Sequence, residues 1–439
     1  RVDLCLLPLL GALYAVCVVD RGNLGLARTA GMDHDLELSV GSRYSIVSCV
    51  YFIPYIILQL PSNLMLRRIG VTNWLAFCVT SWGAVQLGMG FVHTWGELAV
   101  CRMFLGALEA GFFPGLVFII TTWYTRHEVQ QRLASFYIFS IVVGGFSAIL
   151  AYLLALLDGK LGFPGWSWIF IVEGALTMAF GLLTWGVVPG FPDQNRFLTK
   201  EQTELVLTRV ENDRGDSVPD EFTREKVFLH LSDWKIWAFG LMYFCATVPA
   251  QAIGFFLTNL LFGMGWSVRA ALLLSAPPYL VAAVSIVAFA KISDRHCSRA
   301  LPIAVQTVIT IIGLMLIAFS RRPGWRYAGI FLSNAGSGGC IPGILAYSAN
   351  NVVSHTKRAV ATAVVISFGG IAGIFATNVF RQQDAPTYLP GIYITVGCQF
   401  LLLVLLAITT AYFWWKNRGQ RQGISAQHLE QSPGFLYTL

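Results

Sequence analysis

Five ionisable side chains lie inside long apolar runs of this 439-residue chain: Asp20, Arg21, Arg102, Glu109 and Glu173. A charge at the centre of a bilayer costs about 2.5–3.5 kcal/mol on insertion scales, so such groups persist where they meet a partner, a cavity or a pathway. Arg102 and Glu109 are seven residues apart and therefore share one helix face. Both can point into one cavity, or pair structurally, or Arg102 can reach for the interface. Asp20 and Arg21 are neighbours that point in different directions, so they do not simply neutralise each other. They either belong to the span or lie just past its end. Glu173 is near the start of its run, where an interfacial place competes with a buried one.

Three acids against two bases leave an excess negative charge. Desolvation then keeps one carboxyl protonated or lets it titrate. The chemistry this suggests is proton binding beside an anion site. An anion drawn to an arginine releases that arginine's pull on a carboxyl, so substrate and proton favour each other's binding. Glu109 is the deepest acid and the first candidate for the proton, with Arg102, Asp20 and Glu173 around it. The second half of the chain offers uncharged polar groups instead. Tyr279, Asn350 and Asn351 are candidates for its wall, although interhelical hydrogen bonds explain them equally well.

These residues need helices to hold them. The chain is 56% hydrophobic and 12% charged, about half the charge of ordinary soluble domains. That composition reads as a polytopic membrane protein and excludes disordered, disulfide-rich secreted and nucleic-acid-binding classes. None of the nine cysteines forms a CxxC, and the histidines lie at or beyond the ends of the apolar runs, so no disulfide framework or metal box is visible. Twelve runs reach the length needed to cross a bilayer. The first, followed by eleven more, is helix 1 and not a signal peptide. The fold expected is an all-α membrane protein of twelve transmembrane helices in two six-helix, pseudo-symmetric bundles.

The domain limits expected are a first bundle at 1–189, a polar linker at 190–235, a second bundle at 236–416 and a tail at 417–439. With the N-terminus inside, 20 Lys and Arg fall in inside segments and 8 in outside ones. That split favours cytoplasmic termini. Each half has a basic loop after its second helix, with Arg67 and Arg68 in one and Asp294 and Arg295 in the other, and these are candidates for closing an inner gate. The glycine run Gly336–Gly339 before Pro342 either breaks its helix or packs it. Gly106 and Gly111 suit close helix packing.

The motifs resemble a known family. Asp20-Arg-Gly-Asn-Leu-Gly-Leu-Ala27, Gln59-Leu-Pro-Ser-Asn63 continuing to Gly70, and Arg102 through Gly115 look like the anion:cation symporters among fungal major facilitators. So do Gly165–Gly174, Ser348–Asn351 with Thr356-Lys-Arg358, and the ending Pro433–Leu439. The resemblance implies proton-driven import of organic anions of the allantoate, nicotinate or pantothenate kind. The helix 1 and helix 4 motifs also resemble vesicular glutamate and sialic-acid carriers. By that likeness Arg21, in a motif that includes Asn23, contacts the substrate carboxylate, and Arg102 with Glu109 couples the proton. Helix 7 lacks the second arginine of those carriers, and Tyr347 stands where a Trp is expected.

The function expected is a proton-coupled carrier for a small carboxylate, in a plasma membrane before a vacuole, working as a monomer. The proton gradient is its only energy source, with no cofactor, metal or nucleic acid. A proton antiporter exporting a drug or metabolite is the competing reading, against which stands the absence of a Gly-Pro motif in helix 5. No GxSxG, GxxxxGK or GxGxxG element in a suitable setting suggests an enzyme.

Overall fold

The structure, a computed structural model, describes residues 2–38, 40–41, 43–125, 128–188, 190, 198–214, 224–266, 268–296, 298–380, 384, 388–422, 429–431 and 435–439. Among the described residues there are helices and no strand. Helix α1 (Val2–Ala27) runs through a π turn (Arg28–Met32) into the short α2 (Asp33–Asp35). The first half is completed by α3 (Arg43–Ile69), α4 (Val71–Met89), α5 (Trp95–Glu109), α6 (Phe112–Trp123), α7 (Val129–Ala155) and α8 (Gly165–Val187). The polar linker carries α9 (Lys200–Arg214) and α10 (Arg224–Leu231). The second half is α11 (Trp234–Gly263), α12 (Val268–Arg295), α13 (Ala300–Phe319), α14 (Pro323–Asn350), α15 (His355–Val379) and α16 (Leu389–Arg421). α5 and α6 form one span interrupted at Ala110–Gly111, which gives twelve spans in two bundles of six.

Ten spans are long and apolar enough to cross a membrane by composition alone. The exceptions are α4 and α14, of which α14 is shielded by other helices. α4 lies along α8, while α14 packs against α11, α12 and α13, with every residue from Ser333 to Asn350 buried. A helix enclosed by protein needs no lipid-facing apolar stripe.

Local chemistry sets the helix ends. Thr94 caps α5 by accepting from the Glu97 amide at 3.3 Å, while the Glu97 carboxylate accepts from the His93 amide at 2.7 Å. Gly70 turns the chain between α3 and α4 at φ +91°, a conformation costly for other residues. Close approach explains the glycines within the spans. A β-carbon on Gly106 would fall 2.0 Å from the Tyr51 carbonyl oxygen, and one on Gly111 would fall 1.8 Å from Ser62 Oγ. These glycines let the α5–α6 span lie directly on α3. The Gly336–Gly339 run does not break its helix. α14 is continuous, and Gly336 and Gly339 seat it against Thr310 and Gln306 of α13.

The halves meet along two seams, α3 against α15 and α7 against α12. One end of the bundle, here the basic end, carries the α3–α4, α12–α13 and α14–α15 connections together with α9, α10 and residues 429–431 and 435–439. The opposite end carries the π turn and the α7–α8 connection.

Candidate anion and proton site

Helix α1 presents two polar faces to two sets of neighbours. Tyr14, Cys17 and Arg21 follow helical spacing on one face. Asp20 and Asn23 lie on another. Arg21 reaches Glu109 at the last position of α5, with Nε 2.7 Å from Oε1. Cys17 Sγ donates to the same oxygen at 2.6 Å, and the Tyr51 hydroxyl donates to Oε2 at 2.5 Å. Arg21 Nη2 donates to the Tyr55 hydroxyl at 3.0 Å, and its guanidinium carbon stands 4.8 Å from the Tyr55 ring centroid. Tyr51 and Tyr55 are one turn apart on α3 and stack at 5.5 Å. Their place beside Glu109 follows from the Gly106 contact, which brings α5 against the α3 backbone at Tyr51.

Exposure within this group is uneven. The Glu109 side chain is 2% exposed and that of Arg21 is 25% exposed. Arg21 Nη1 makes no hydrogen bond among the described residues, so the guanidinium has donors to spare. Tyr14, Tyr137 of α7 and Tyr243 of α11 are aromatic neighbours within electrostatic reach of Arg21. Tyr243 belongs to the other half, as does Tyr279, whose Cβ would lie 3.1 Å from a β-carbon on Gly145.

The sequence placed Arg102 and Glu109 together as a pair. The structure gives Glu109 to Arg21 instead. Arg102 is 3% exposed, forms no ion pair, and its Nε and Nη2 have no hydrogen-bond partner among the described residues. Spacing on one helix fixes the face but not which helix lies opposite.

The remaining candidates separate into three places. Asp20 Oδ2 accepts from Trp82 Nε1 at 3.1 Å and from Thr177 Oγ1 at 2.9 Å. Asn23 is fully buried and donates to Glu173. Asp20 and Glu173 are thus both buried inside the protein. Tyr279 stays at the α7–α12 seam. Asn350 and Asn351 sit at the last turn of α14, at the basic end, remote from this cluster. Asn351 accepts from the Thr438 amide at 2.8 Å and donates to the Tyr347 carbonyl at 2.9 Å. Both asparagines were expected on a substrate wall; the helix ends where they occur, and the tail takes the second of them.

Among the gate candidates, Asp294 pairs with the buried Arg299, while Arg68 and Arg295 are exposed. The Arg67 side chain lies outside the described residues. The contacts that join the halves come from residues sequence reasoning passed over. Asn63 Nδ2 donates to the Ala359 carbonyl at 2.9 Å, and Ser367 donates to Gln59 at 2.6 Å. Arg358, 1% exposed, donates to the Val353 carbonyl at 3.1 Å and reaches the Thr121 carbonyl across the seam at 3.5 Å. Gln59, Asn63 and Arg358 all stand within the motifs quoted above, but residue type alone does not reveal a partner in the other half.

Also at the basic end, Glu430 sits between Lys235 and Lys357, and Lys357 reaches Asp233 at 2.7 Å. Burial alone would raise the Glu430 carboxyl. The two ammonium groups outweigh it and hold Glu430 below the usual carboxylate range. Asp233 is held low in the same way, by its hydrogen bond to Lys357 and the charges of Lys235 and Lys357 against burial. A cavity of about 300 Å³ opens at the opposite end, lined in part by Asp35, Phe91, His93, Phe163 and Trp166. None of Asp20, Arg21, Arg102, Glu109 and Glu173 lines it.

Two pseudo-symmetric half-bundles, meeting along two seams with polar groups buried inside one of them, have the form of a membrane carrier that opens to either side in turn. The Major Facilitator Superfamily profile matches residues 10–377, and the chain belongs to that superfamily. It is 30% identical over 423 residues to the MFS-type transporter efuF of Hormonema carpetanum, covering 95% of this chain and 85% of that one. It is 31% identical over 444 residues to the MFS-type transporter cnsO of Penicillium expansum, covering 98% and 86%. Among solved structures, the human organic anion transporter MFSD10 (TETRAN) superposes with a TM-score of 0.69 at 12% identity, covering 92% of this chain and 100% of that one. The relatives are transporters, and the chain is a multi-pass membrane protein of the same kind.

Proposed function

We propose that the protein is a proton-coupled symporter that imports a small organic anion, a carboxylate, by alternating access. The observation that carries this reading is the division of labour on Arg21. Its Nε holds Glu109, while Nη1 has no partner among the described residues on a side chain one-quarter exposed. A carboxylate arriving at Nη1 competes with Glu109 for one guanidinium. Weakening the Arg21–Glu109 bond favours a proton on Glu109, and a proton there frees Arg21 for the anion. The two ligands therefore bind with positive coupling. Tyr55 orients the guanidinium, and Tyr243 and Tyr279 contribute wall from the other half.

The resemblance to the fungal anion:cation symporters supports the substrate class. In this reading the halves 1–189 and 236–416 rock about the site, joined by 190–235. The basic end faces the cytoplasm, as its excess of Lys and Arg favours, and the membrane is the plasma membrane. The α3–α15 and Arg358 contacts hold the basic end shut, with the loops of Arg67, Arg68, Asp294 and Arg295 beside them. The proton gradient supplies the energy, and one chain forms the whole pathway.

The test is uptake of a panel of labelled carboxylates into cells expressing the protein, with and without a protonophore. Saturable uptake of one carboxylate, accelerated by external acid and abolished by the protonophore, is expected. Net export driven by external acid would overturn symport in favour of proton antiport.

A further inference from the structure

Tyr55, whose hydroxyl accepts from Arg21 Nη2 at 3.0 Å, also touches the other half of the molecule. A β-carbon on Gly370 of α15 would lie 3.2 Å from Tyr55 Cδ1 and 2.9 Å from Ile56 Cγ1. The edge of the Tyr55 ring therefore rests on the bare backbone of α15. The preceding residue, Gly369, does the same for Tyr243 of α11, where a β-carbon would fall 2.7 Å from Cε1. Consecutive glycines of one helix thus seat two tyrosines, one from each half. Both tyrosines stand within electrostatic reach of Arg21.

These contacts belong to a ladder along the α3–α15 seam. Toward the basic end, Asn63 donates to the Ala359 carbonyl at 2.9 Å and Ser367 donates to Gln59 at 2.6 Å. Toward the opposite end, Phe52 fits against Gly373, and Cys49 Sγ lies 3.6 Å from Thr377 Oγ1. Tyr55 is the middle rung, and it is the rung whose hydroxyl is spent on Arg21. Its ring is 2% exposed, so its direction is set by what it packs against. If the seam parts, the ring loses its seat on Gly370 and regains side-chain freedom. The bond to the guanidinium must then meet that entropy by itself.

We propose that Gly370 is a positioning residue for the anion site: it holds Tyr55 in line with Arg21 while α3 and α15 are packed together, so closure of this seam and capture of a carboxylate by Arg21 favour each other. The inference rests on Arg21 being the anion contact and adds what binding does to the two halves. With the seam open, the guanidinium lacks its orienting tyrosine and holds a carboxylate weakly. A carboxylate bound to the oriented guanidinium draws the halves shut, because it binds the closed arrangement better. The two effects are equal in size, as linkage requires.

Seam closure is read without any anion as the rate of disulfide formation between Cys49 and the thiol introduced by Thr377→Cys, in the purified protein in lipid under a mild oxidant, with the linked peptides quantified by mass spectrometry. Tyr55→Phe keeps the ring on Gly370 and removes only the hydroxyl that meets Arg21. Added to Thr377→Cys, it is expected to slow the cross-link about fivefold, the size of one net hydrogen bond. A ring that merely packs the seam would leave the rate unchanged, and that result overturns the proposal. Affinity is then measured by calorimetry with acetate, benzoate, nicotinate and succinate. The probe that binds the wild type most tightly is expected to bind Gly370→Ala about tenfold more weakly. In Tyr55→Phe the same glycine substitution is expected to cost little more, since the tie it disturbs is already cut. Losses that simply add in the double variant are the mark of independent packing effects and overturn the proposal. Should none of the four probes bind the wild type, the carboxylate reading fails, while the cross-linking rate still decides whether Tyr55 ties Arg21 to the seam.

Discussion

Arg21 and Glu109, 88 residues apart in sequence, meet through a single Nε–Oε1 bond of 2.7 Å, and Glu109 carries three donors from three different residues. The bond uses Nε, Tyr55 takes Nη2, and Nη1 makes no hydrogen bond among the described residues. Lysine cannot reproduce that fork, because a point charge offers no planar pair of edges. Arg21→Lys is therefore expected to keep a positive charge near Glu109 yet raise the KM for the anion by at least about tenfold, equivalent to about 1.4 kcal/mol. Arg21→Ala abolishes uptake. Initial-rate uptake at fixed external pH measures both, and a Lys variant with wild-type KM would remove the guanidinium from recognition.

Tyr51 and Tyr55 are adjacent rings with separate partners. Tyr51 donates to Glu109 and Tyr55 accepts from Arg21. Tyr51→Phe leaves a buried carboxylate oxygen without its donor, at a cost of about 1–3 kcal/mol. It is expected to alter the pH profile of uptake more than the KM. Tyr55→Phe loosens the guanidinium and is expected to raise the KM while leaving the profile in place. Paired pH–rate and KM measurements separate the two, and equal effects in both variants would contradict the division.

Charge and hydropathy made the architecture legible, because a bilayer imposes length on every span. They also picked out Asp20, Arg102, Glu109 and Glu173, but not the buried Arg299 and Arg358. Partnership was less legible. The Arg102–Glu109 spacing pointed along α5, whereas the interruption at Ala110–Gly111 and the close approach at Gly106 turn Glu109 toward α1 and α3. Asn350 and Asn351 look like wall residues until the end of α14 is known. Asn63, Gln59 and Arg358 gain meaning only from a partner nearly 240 residues or more away. Composition records what must be buried, while the choice of neighbour is a property of the packed bundle.

The glycine contacts of the α5–α6 span give a prediction about packing. Gly106→Ala places a methyl against a backbone carbonyl, which cannot move as a side-chain tip can. Overpacking of this kind costs about 1–3 kcal/mol. It also pushes α5 from α3, and so separates Tyr51 from Glu109. Gly106→Ala is expected to lower both thermal stability and uptake. Gly88→Ala, with nothing within 4 Å of the added carbon, is expected to change neither. Thermal unfolding in detergent together with uptake distinguishes them.

The tail at the basic end supplies a pH dependence whose sign follows from its ion cluster. Glu430 and Asp233 are both held below the ordinary carboxylate range by Lys235 and Lys357. A carboxyl depressed in the folded protein stabilises it above the unfolded value, about 4, and that stabilisation is lost as pH falls through the folded value. Docking of residues 429–431 and 435–439 is therefore fully supported at neutral pH and weakens in acid. Asn417 pairs with the Tyr437 backbone in both directions, at 2.8 and 2.9 Å, and the Tyr437 ring stacks on Phe413 at 4.4 Å. These uncharged contacts remain when the carboxyls protonate, so the tail loosens without full release. Hydrogen exchange of the 435–439 amides is expected to be slow at neutral pH and faster in acid after correction for intrinsic rates. Glu430→Gln strands two buried ammonium groups with one carboxylate, Asp233, between them. It is expected to speed exchange at neutral pH and to flatten the acid dependence. Unchanged protection in Glu430→Gln would mean that the asparagine and aromatic contacts hold the tail by themselves.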